Sequence, residues 1–250
     1  MRIDMRIAVA GGTGLIGRMV CDEVAAARDE AVVLARSVGV DVVTGDGLDA
    51  ALAGVGAVID VTNVTTLKRS ESLAFFETAT TNLLAAEQRA GVAHHVLLSI
   101  VGVDRVDWGY YAGKVRQEEL CAASDVPTTV LRATQFHEFA DQMLARGGPV
   151  ALVPRMRSQP VAAREVAAEL VRLAHGEARG LVPEMAGPDV LEMPDMVRRL
   201  LRARGRRTPV IGLRLPGAAG SGMANGGLLP QEDGPRGRET FAQWLTAAAR

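Results

Sequence analysis

The sequence predicts an α/β protein built on a doubly wound parallel sheet, with a smaller lobe at the C-terminal end. Short apolar runs alternate with longer amphipathic stretches along the first half of the chain, and a glycine-rich turn directly follows the first of these runs. Such alternation places helices on both faces of a parallel sheet. We therefore expect a core over residues 1–150 and a smaller lobe over residues 151–250.

Six strands and three helices are predicted in the core. The strands are expected near residues 5–10, 31–35, 41–44, 57–61, 94–99 and 128–132. The helices are expected near residues 14–28, 70–90 and 110–124. Right-handed crossovers bring the carboxyl ends of parallel strands to one edge of the sheet, so the loops at that edge form the candidate binding site.

A glycine-rich turn follows the first predicted strand. Gly11, Gly14 and Gly17 form a G-x-x-G-x-x-G pattern ahead of a predicted helix. In this context one glycine permits a tight turn, one lets the backbone approach a pyrophosphate, and one lets the helix pack on the strand. The helix N-terminus then binds the diphosphate. The pattern predicts a Rossmann-like dinucleotide site whose contacts are Gly11, Gly12, Thr13, Gly14, Leu15, Ile16 and Gly17.

The end of the second predicted strand indicates which dinucleotide binds. Sites for NAD usually place an acid there to accept hydrogen bonds from the ribose 2′-hydroxyl. No acid occurs between Ala31 and Val40, and Arg36 and Ser37 stand at this point instead. A guanidinium pairs well with a 2′-phosphate, so the predicted cofactor is NADP(H). Arg18 is a second candidate for the same phosphate.

Two further loops are predicted to contact the cofactor. Asp46 follows the predicted third strand, where it would meet the adenine or else cap a helix together with Gly47. Val61, Thr62 and Asn63 follow the next strand and are expected to lie under the dinucleotide backbone.

Lysine usage singles out one helix. The chain has 28 Lys and Arg residues, but only Lys68 and Lys114 are lysines. Lys114 follows Tyr110 by four residues, so both side chains share one helix face. A nearby ammonium favours the phenolate and lowers the pKa of a tyrosine. Tyr110, or alternatively Tyr111, is therefore a candidate proton donor, and Lys114 would tune it and bind the nicotinamide ribose.

Ser99 completes a candidate catalytic triad with Tyr110 and Lys114. It closes the predicted strand over residues 94–99, where its hydroxyl would face a substrate carbonyl. The loop between Ser99 and Tyr110 is short and carries Trp108. The alternative, in which both tyrosines only pack against Trp108 at the start of the helix, stays open.

With these residues in place, the chain resembles the short-chain dehydrogenases/reductases, and among them the atypical NmrA-like branch that binds NAD(P)H. The resemblance covers residues 5–170 as an ordered set and is looser beyond them. It is carried by residues 11–17, 36–37, 98–102, 110–114, 129–136, 159–161 and 164–167.

The resemblance implies a dinucleotide-binding core followed by a substrate-binding C-terminal lobe. It also implies NADPH, with the nicotinamide near Ser99, Lys114 and the loop 133–136. Ala133, Thr134 and Phe136 are accordingly predicted to contact the cofactor. Phe136 would form part of the nicotinamide pocket, or else belong to the core at the start of a helix.

The family also implies roles for the triad. In its carbonyl reductases the serine orients the carbonyl, the tyrosine delivers the proton, and the lysine tunes the tyrosine and binds the ribose. Many NmrA-like members keep the lysine and lack the tyrosine. Some of them reduce quinones or other acceptors, and others only sense the redox state of the cofactor and bind a partner.

Two segments of the predicted lobe differ in composition from the rest of the chain. Residues 198–214 hold seven arginines and no acid, which favours a solvated basic face over a nucleic-acid surface because the net charge of the chain is −1. Residues 216–237 are rich in Gly and Pro and predict a long flexible loop before a final helix over 238–249.

The overall composition indicates the compartment, the classes of partner and the absence of metal that we expect for the protein. With 48% hydrophobic residues and no apolar run long enough for a membrane span, we expect a cytoplasmic protein without nucleic-acid or membrane partners. Cys21 and Cys121 are expected to be reduced thiols. No metal site is predicted, because the four histidines lack ligand spacing.

The sequence thus predicts an NADPH-dependent oxidoreductase. It would reduce a small hydrophobic carbonyl, quinone or conjugated ketone by hydride transfer, with Tyr110 or water supplying the proton. The alternative is a non-catalytic NADP(H)-binding redox sensor that binds a partner protein, and an isomerase or dehydratase is a third possibility. A monomer or a homodimer is expected, with a small molecule as the substrate.

Overall fold

The computed structural model of the protein describes residues 5–144 and 147–248. The described chain forms two compact units, each assembled from separated segments. The first unit contains the chain up to Ser99, Trp108–Leu131 and Ala167–Val182. The second contains Ile100–Asp107, Arg132–Val166 and the chain from Pro183 onward.

Ten strands lie in the described residues. They are β1 (Arg6–Ala10), β2 (Glu30–Leu34), β3 (Ala57–Asp60), β4 (His94–Ile100), β5 (Thr128–Ala133), β6 (Ala151–Pro154), β7 (Arg157–Ser158), β8 (Gly180–Leu181), β9 (Leu191–Glu192) and β10 (Val210–Leu213). Six of them form a parallel sheet in the order β2-β1-β3-β4-β5-β8. The predicted doubly wound parallel α/β fold is therefore confirmed.

Nine helices accompany these strands in the same described ranges. They are α1 (Leu15–Ala26), α2 (Leu48–Leu52), α3 (Arg69–Ala90), α4 (Gly109–Ala122), α5 (Phe139–Gln142), α6 (Ala163–Ala174), α7 (Met193–Ala203), α8 (Gly217–Ala224) and α9 (Phe241–Ala248). The three helices predicted in the core correspond to α1, α3 and α4.

The centre of the large sheet is apolar on both faces. Ile7, Ala8 and Val9 in β1 are fully buried, and so are Val58 and Ile59 in β3. Strands covered on both faces need a continuous apolar run rather than an alternating one. This explains why these short runs were recognisable in the sequence.

The strand predicted over residues 41–44 is wrong, because these residues form a turn. The backbone N–H of Val43 donates to the Asp41 carboxylate at 2.8 Å, and that of Gly45 donates to the Asp41 carbonyl at 2.8 Å. Gly45 and Gly47 have φ values of +84° and +77°, which favour glycine over other residues. The sixth strand of the sheet is instead β8, a two-residue strand that the sequence did not indicate.

The second unit holds two small sheets. Strands β6 and β10 pair in parallel, and β7 and β9 pair antiparallel. Helix α7 packs on β6 and β10, with Met193, Met196 and Leu200 on its buried face. Pro194 stands in the first turn of α7, where no intrahelical N–H is needed.

The glycine-rich segment 216–237 contains a helix where the sequence predicts a loop. Helix α8 occupies Gly217–Ala224, and Met223 on it is buried. A Cβ atom at Gly220 would lie 2.0 Å from the Leu215 carbonyl oxygen, so this glycine permits a close backbone approach. The predicted final helix corresponds to α9, and residue 249 lies outside the described residues.

Candidate functional site

The glycine turn joins β1 to α1 by close backbone contacts. Gly11 has φ +81°, and its N–H donates to the Leu34 carbonyl at 3.1 Å. A Cβ atom at Gly17 would lie 2.1 Å from the Gly11 carbonyl oxygen, so only glycine fits there. Gly14 caps α1 with no side-chain hydrogen bond, and Thr13 and Gly14 are exposed. The first N–H groups of α1 therefore face the predicted binding edge, where they can bind an anion.

The loop after β2 presents Arg36 and Ser37 to solvent. Arg36–Val38 form a short 3-10 turn that ends at Gly39 with φ +81°, and all four residues are exposed. The guanidinium of Arg18, by comparison, donates to the Thr13 carbonyl at 2.5 Å. Arg36 is thus an exposed cation at the end of β2, as a 2′-phosphate clamp requires.

Asp46 belongs to the turn that replaces the predicted third strand. Its carboxylate accepts a hydrogen bond of 2.7 Å from the Thr44 hydroxyl. Gly47 caps α2 without any side-chain hydrogen bond, so Asp46 does not cap this helix. The predicted contact with adenine stays a prediction.

The residues after β3 lie against the glycine turn. The ideal Cβ position at Gly11 is 3.0 Å from the Val61 carbonyl oxygen, and the Val61 N–H donates to the Ala10 carbonyl at 3.0 Å. Val61 and Thr62 are buried, whereas Asn63 is exposed. Two of the predicted cofactor segments are therefore brought together within the first unit.

Helix α4 is seated closely on α3. A Cβ atom at Gly113 would lie 2.3 Å from Ser72 Oγ and 2.6 Å from the Phe76 ring. The Ser72 hydroxyl also donates to the Tyr110 carbonyl at 2.6 Å. This close packing fixes the position of the candidate catalytic side chains on α4.

Lys114 is buried, with 3% of its surface exposed. Its Nζ donates to the Leu98 carbonyl at 2.8 Å and to Gln117 Oε1 at 2.5 Å, and it lies 4.9 Å from the centre of the Phe76 ring. Burial lowers the pKa of Lys114 to about 8, and the carboxylates of Asp60 and Glu118 oppose that effect.

Gln117 connects Lys114 to a buried acid. Its Nε2 donates to Asp60 Oδ2 at 2.8 Å, and Asp60 Oδ1 accepts the Thr62 N–H at 2.8 Å. Gln117 is fully buried and Asp60 is 1% exposed. Neither residue was predicted from the sequence, although an aspartate that ends an apolar run at Ala57–Asp60 is an unusual feature that could have indicated it.

Tyr110 bonds to a cofactor-loop residue and not to Lys114. Its hydroxyl donates to Asn63 Oδ1 at 2.7 Å, and its ring contacts Phe76 and Tyr111 at centroid distances of 5.8 and 5.9 Å. Burial raises the pKa of Tyr110 and of Tyr111. The predicted lowering of the Tyr110 pKa by Lys114 is therefore wrong, because burial dominates and the ammonium lies over the Phe76 ring.

Ser99 is 2% exposed and donates its hydroxyl to Glu118 on α4. The hydroxyl is thus directed at a carboxylate of its own unit, whereas the sequence predicts that it faces a substrate carbonyl. The hydrogen bonds of Ser99, Tyr110 and Lys114 lead to three separate sets of partners. The structure brings the three residues onto β4 and α4 but does not link them as a proton-transferring triad.

The remaining predicted contacts belong to the second unit. Ala133 and Thr134 are buried, and the Thr134 hydroxyl donates to the Gln159 carbonyl at 2.6 Å. Phe136 is half-buried and forms a parallel bridge with Val161. Their contact with a cofactor stays a prediction.

The described part of the chain offers neither a metal centre nor a membrane-spanning helix. Within residues 5–144 and 147–248, no group of three or more His, Cys, Asp or Glu residues is arranged to hold a metal ion. No helix in these ranges has the length and apolar character required to cross a bilayer. Cys21 and Cys121 are free thiols, as predicted.

Comparison with known proteins gives structural matches only. No protein-family model and no curated protein sequence matches the chain. The chain is similar to an NADPH-dependent quinone oxidoreductase from Escherichia coli, at 19% identity and a TM-score of 0.69, over 98% of this chain and 100% of that one.

Two further solved structures have the same fold. One is a short-chain dehydrogenase/reductase superfamily protein from Agrobacterium tumefaciens with bound NAD, at 20% identity and a TM-score of 0.70, covering 98% of this chain and 96% of that one. The other is a UDP-N-acetylglucosamine 4-epimerase from Bacillus cereus, at 18% identity and a TM-score of 0.70, covering 98% of both chains. The chain therefore has the Rossmann-like fold of short-chain dehydrogenase/reductase superfamily proteins.

Proposed function

We propose that the protein is an NADPH-dependent oxidoreductase of the atypical, NmrA-like short-chain dehydrogenase/reductase type. The observation that carries this proposal is the glycine turn, which lies against the end of β3 with the start of α1 unobstructed by a capping side chain. A turn of this kind accommodates the pyrophosphate of a nicotinamide dinucleotide.

The choice of NADPH over NADH depends on Arg36. The exposed guanidinium at the end of β2 would form a bidentate pair with the 2′-phosphate, and no acid stands there to accept the 2′-hydroxyl of NAD. When bound, the dinucleotide supplies the hydride. The buried Lys114 ammonium, which bonds to Leu98 near the end of β4, would hold the nicotinamide ribose.

Among the predicted acceptors, a quinone fits the site best. The Tyr110 proton is engaged by Asn63, and burial raises its pKa, so Tyr110 is a poor acid for a carbonyl oxygen. A quinone that gains one hydride becomes a stable hydroquinone anion, which takes its proton from water. The first of the similar structures is itself described as a quinone oxidoreductase, which agrees with this choice.

A test of the activity measures NADPH consumption at 340 nm with a panel of quinones, conjugated ketones and simple carbonyls. We expect quinones to be reduced, and Lys114→Met to lower kcat/KM at least about tenfold, because one charge-assisted hydrogen bond contributes about 1.5–3 kcal/mol. The exposed Lys68 provides the matched control, since Lys68→Met removes the same charge from a side chain that is exposed and pairs with Glu71.

The second candidate is a non-catalytic NADP(H) sensor. It is favoured by one observation, namely that Ser99, Tyr110 and Lys114 are each bonded to other protein groups. A sensor would bind NADPH and NADP⁺ with different affinities and consume no NADPH with any acceptor of the panel. Turnover with a quinone would exclude this candidate.

A further inference from the structure

The second unit contains a basic groove at one end of its parallel strand pair. The groove has a volume of about 340 Å³, which is within the range of small-molecule sites. Arg155, Arg198 and Arg214 line it together with two acids, and Gly212, Pro194 and Asn225 are also among its lining residues.

Two of these arginines are neighbours across the strand pair. Arg155 directly follows β6 and Arg214 directly follows β10, and the last paired residues of the two strands are Pro154 and Leu213. The Arg155 N–H donates to the Leu213 carbonyl at 2.7 Å, which holds the two strand ends together. Adjacent parallel strands lie about 4.8 Å apart, so the two guanidinium groups begin from neighbouring backbone positions.

The charges of Arg155 and Arg214 are not neutralised by the acids of the groove. Both side chains are exposed, and no carboxylate in the described ranges lies within ion-pair distance of either. The two acids that line the groove are engaged by other arginines. Asp195 pairs with Arg198 at 2.7 Å, and Glu192 lies 3.8 Å from Arg157.

Arg198 forms a fixed third side of the groove. Its guanidinium is held by Asp195 and also donates to the Val210 carbonyl at 3.1 Å. The floor leaves room for a ligand because position 212 has no side chain. A Cβ atom there would lie 3.3 Å from Pro194 Cγ, which is a tight contact, and 3.5 Å from Arg155 Nε, which is an ordinary one.

Like charges at adjacent strand positions are unfavourable unless a counter-charge lies between them. We infer that Arg155 and Arg214 bind an oxyanion, the phosphate or carboxylate group of a small organic molecule, in this groove. Two guanidinium groups offer parallel N–H donors to one such group. The volume exceeds that of the oxyanion alone, so the rest of the molecule lies along Pro194 and Asn225. The inference is independent of the proposed oxidoreductase activity.

The test uses inorganic phosphate and the full-length protein. Binding is followed by calorimetric titration and by thermal unfolding, with chloride added to the reference sample to match ionic strength. We expect phosphate to raise Tm beyond the chloride reference. Arg155→Gln and Arg214→Gln should each weaken phosphate binding about tenfold or more, because each removes a charge-assisted contact.

Two matched variants separate binding in the groove from diffuse surface charge and from binding at the glycine turn. Arg202→Gln removes an exposed arginine of α7 that does not line the groove, and Arg36→Gln removes the predicted phosphate clamp of the first unit. Arg202→Gln should retain phosphate binding, and Arg36→Gln should retain the part of it that Arg155→Gln and Arg214→Gln remove. An equal loss in Arg202→Gln would show diffuse surface charge, and a loss confined to Arg36→Gln would place the phosphate at the glycine turn. Either result, or no binding beyond the chloride reference, overturns the inference.

A second titration distinguishes a phosphate group from a carboxylate group as the bound oxyanion. Phenyl phosphate and benzoate are compared in the wild type and in Arg214→Gln. A loss of affinity in the variant for either ligand supports oxyanion binding in the groove. The ligand that is affected identifies whether the groove prefers a phosphate or a carboxylate group. If Arg214→Gln leaves the affinities for both ligands unchanged, the groove does not bind the oxyanion.

Discussion

The Nε2 amide of Gln117 donates to Oδ2 of Asp60 at 2.8 Å, while its Oε1 accepts from Lys114 at 2.5 Å. Through this one side chain, a carboxylate at the end of β3 is coupled to an ammonium on α4. All three groups are buried. A buried charge persists only where it is paired and hydrogen-bonded. The hydrogen bonds of Gln117 therefore stabilise the Lys114 ammonium at this buried position.

The first prediction concerns the pKa of Lys114. Because the chain has only two lysines, selective labelling with [15Nζ]lysine gives two side-chain NMR signals. We expect the Lys114 signal to titrate near pH 8, since burial disfavours the ammonium. Lys68 is the internal control, because its hydrogen bond to Glu71 raises its pKa above 10.5. Two signals that both titrate above pH 10 would contradict the burial of Lys114.

The same shift makes stability depend on pH in a defined direction. The folded-state pKa of Lys114, about 8, lies below the unfolded value of 10.5, so between these values the unfolded chain binds more protons. The contribution of Lys114 to stability therefore rises with pH by up to about 1.4 kcal/mol per unit from pH 8 to pH 10.5, and it is constant below pH 8.

This pH dependence is measured by denaturant unfolding at a series of pH values. The free energy of unfolding of Lys114→Met is subtracted from that of the wild type, so that groups titrating in both proteins cancel. Lys68→Met serves as the control and should give the opposite, weak trend. A wild-type minus Lys114→Met difference that falls between pH 8 and pH 10.5 would contradict the lowered pKa of Lys114.

The second prediction concerns Gln117. Gln117→Met keeps the size of the side chain but removes the acceptor for Lys114 and the donor for Asp60. We expect a loss of about 2–5 kcal/mol in the free energy of unfolding, because two buried charges each lose a partner. In the lysine NMR titration, the Lys114 pKa should fall below 8, since one acceptor for the ammonium is lost.

A variant on the exposed side of α4 provides the control for Gln117. Glu119→Met replaces a residue two positions further along the helix that is exposed and pairs with Arg116 at 3.3 Å. Its effect on stability should stay within about 1 kcal/mol. If Gln117→Met leaves the Lys114 pKa unchanged, Gln117 does not couple Asp60 to Lys114.

The third prediction concerns the glycine turn. Gly17→Ala places a methyl group 2.1 Å from the Gly11 carbonyl oxygen, so β1 and α1 must separate. We expect a loss of more than about 3 kcal/mol in stability, as for other strongly overpacked sites. Gly14→Ala is the matched control, because the added atom would be 3.2 Å from the same oxygen and φ is −71°. Similar unfolding midpoints for the two variants would contradict the packing role of Gly17.

The fold was largely predictable from local sequence, because its main strands are continuous apolar runs and its glycine turn has a fixed pattern. The turn at residues 41–44 was not, since Val42 and Val43 resemble a strand while Asp41 and Gly45 decide the conformation. The pairing of Asp60 with Gln117 joins residues 57 positions apart. No local pattern encodes such a pair, because it depends on how α4 is seated beside β3.

The fourth prediction concerns Tyr110. Since its hydroxyl bonds to Asn63 and its pKa is raised, we expect Tyr110→Phe to retain quinone reduction within about threefold of wild type, well short of the 10²–10⁴-fold effect of a general acid. The measurement is the initial rate of NADPH oxidation. A loss of a hundredfold or more would show that Tyr110 donates the proton after all. Tyr111→Phe is the parallel variant for the neighbouring candidate.

The proposed role of the glycine turn and Arg36 is to hold NADPH. The decisive experiment is a fluorescence titration with NADPH and with NADH on wild type, Arg36→Ala and Arg179→Ala, the last removing an exposed arginine of the same unit. We expect wild type and Arg179→Ala to bind NADPH at least about tenfold more tightly than NADH, and Arg36→Ala to lose this preference while NADH binding stays unchanged. Failure of wild type to bind either nucleotide, or an undiminished preference in Arg36→Ala, would contradict this role.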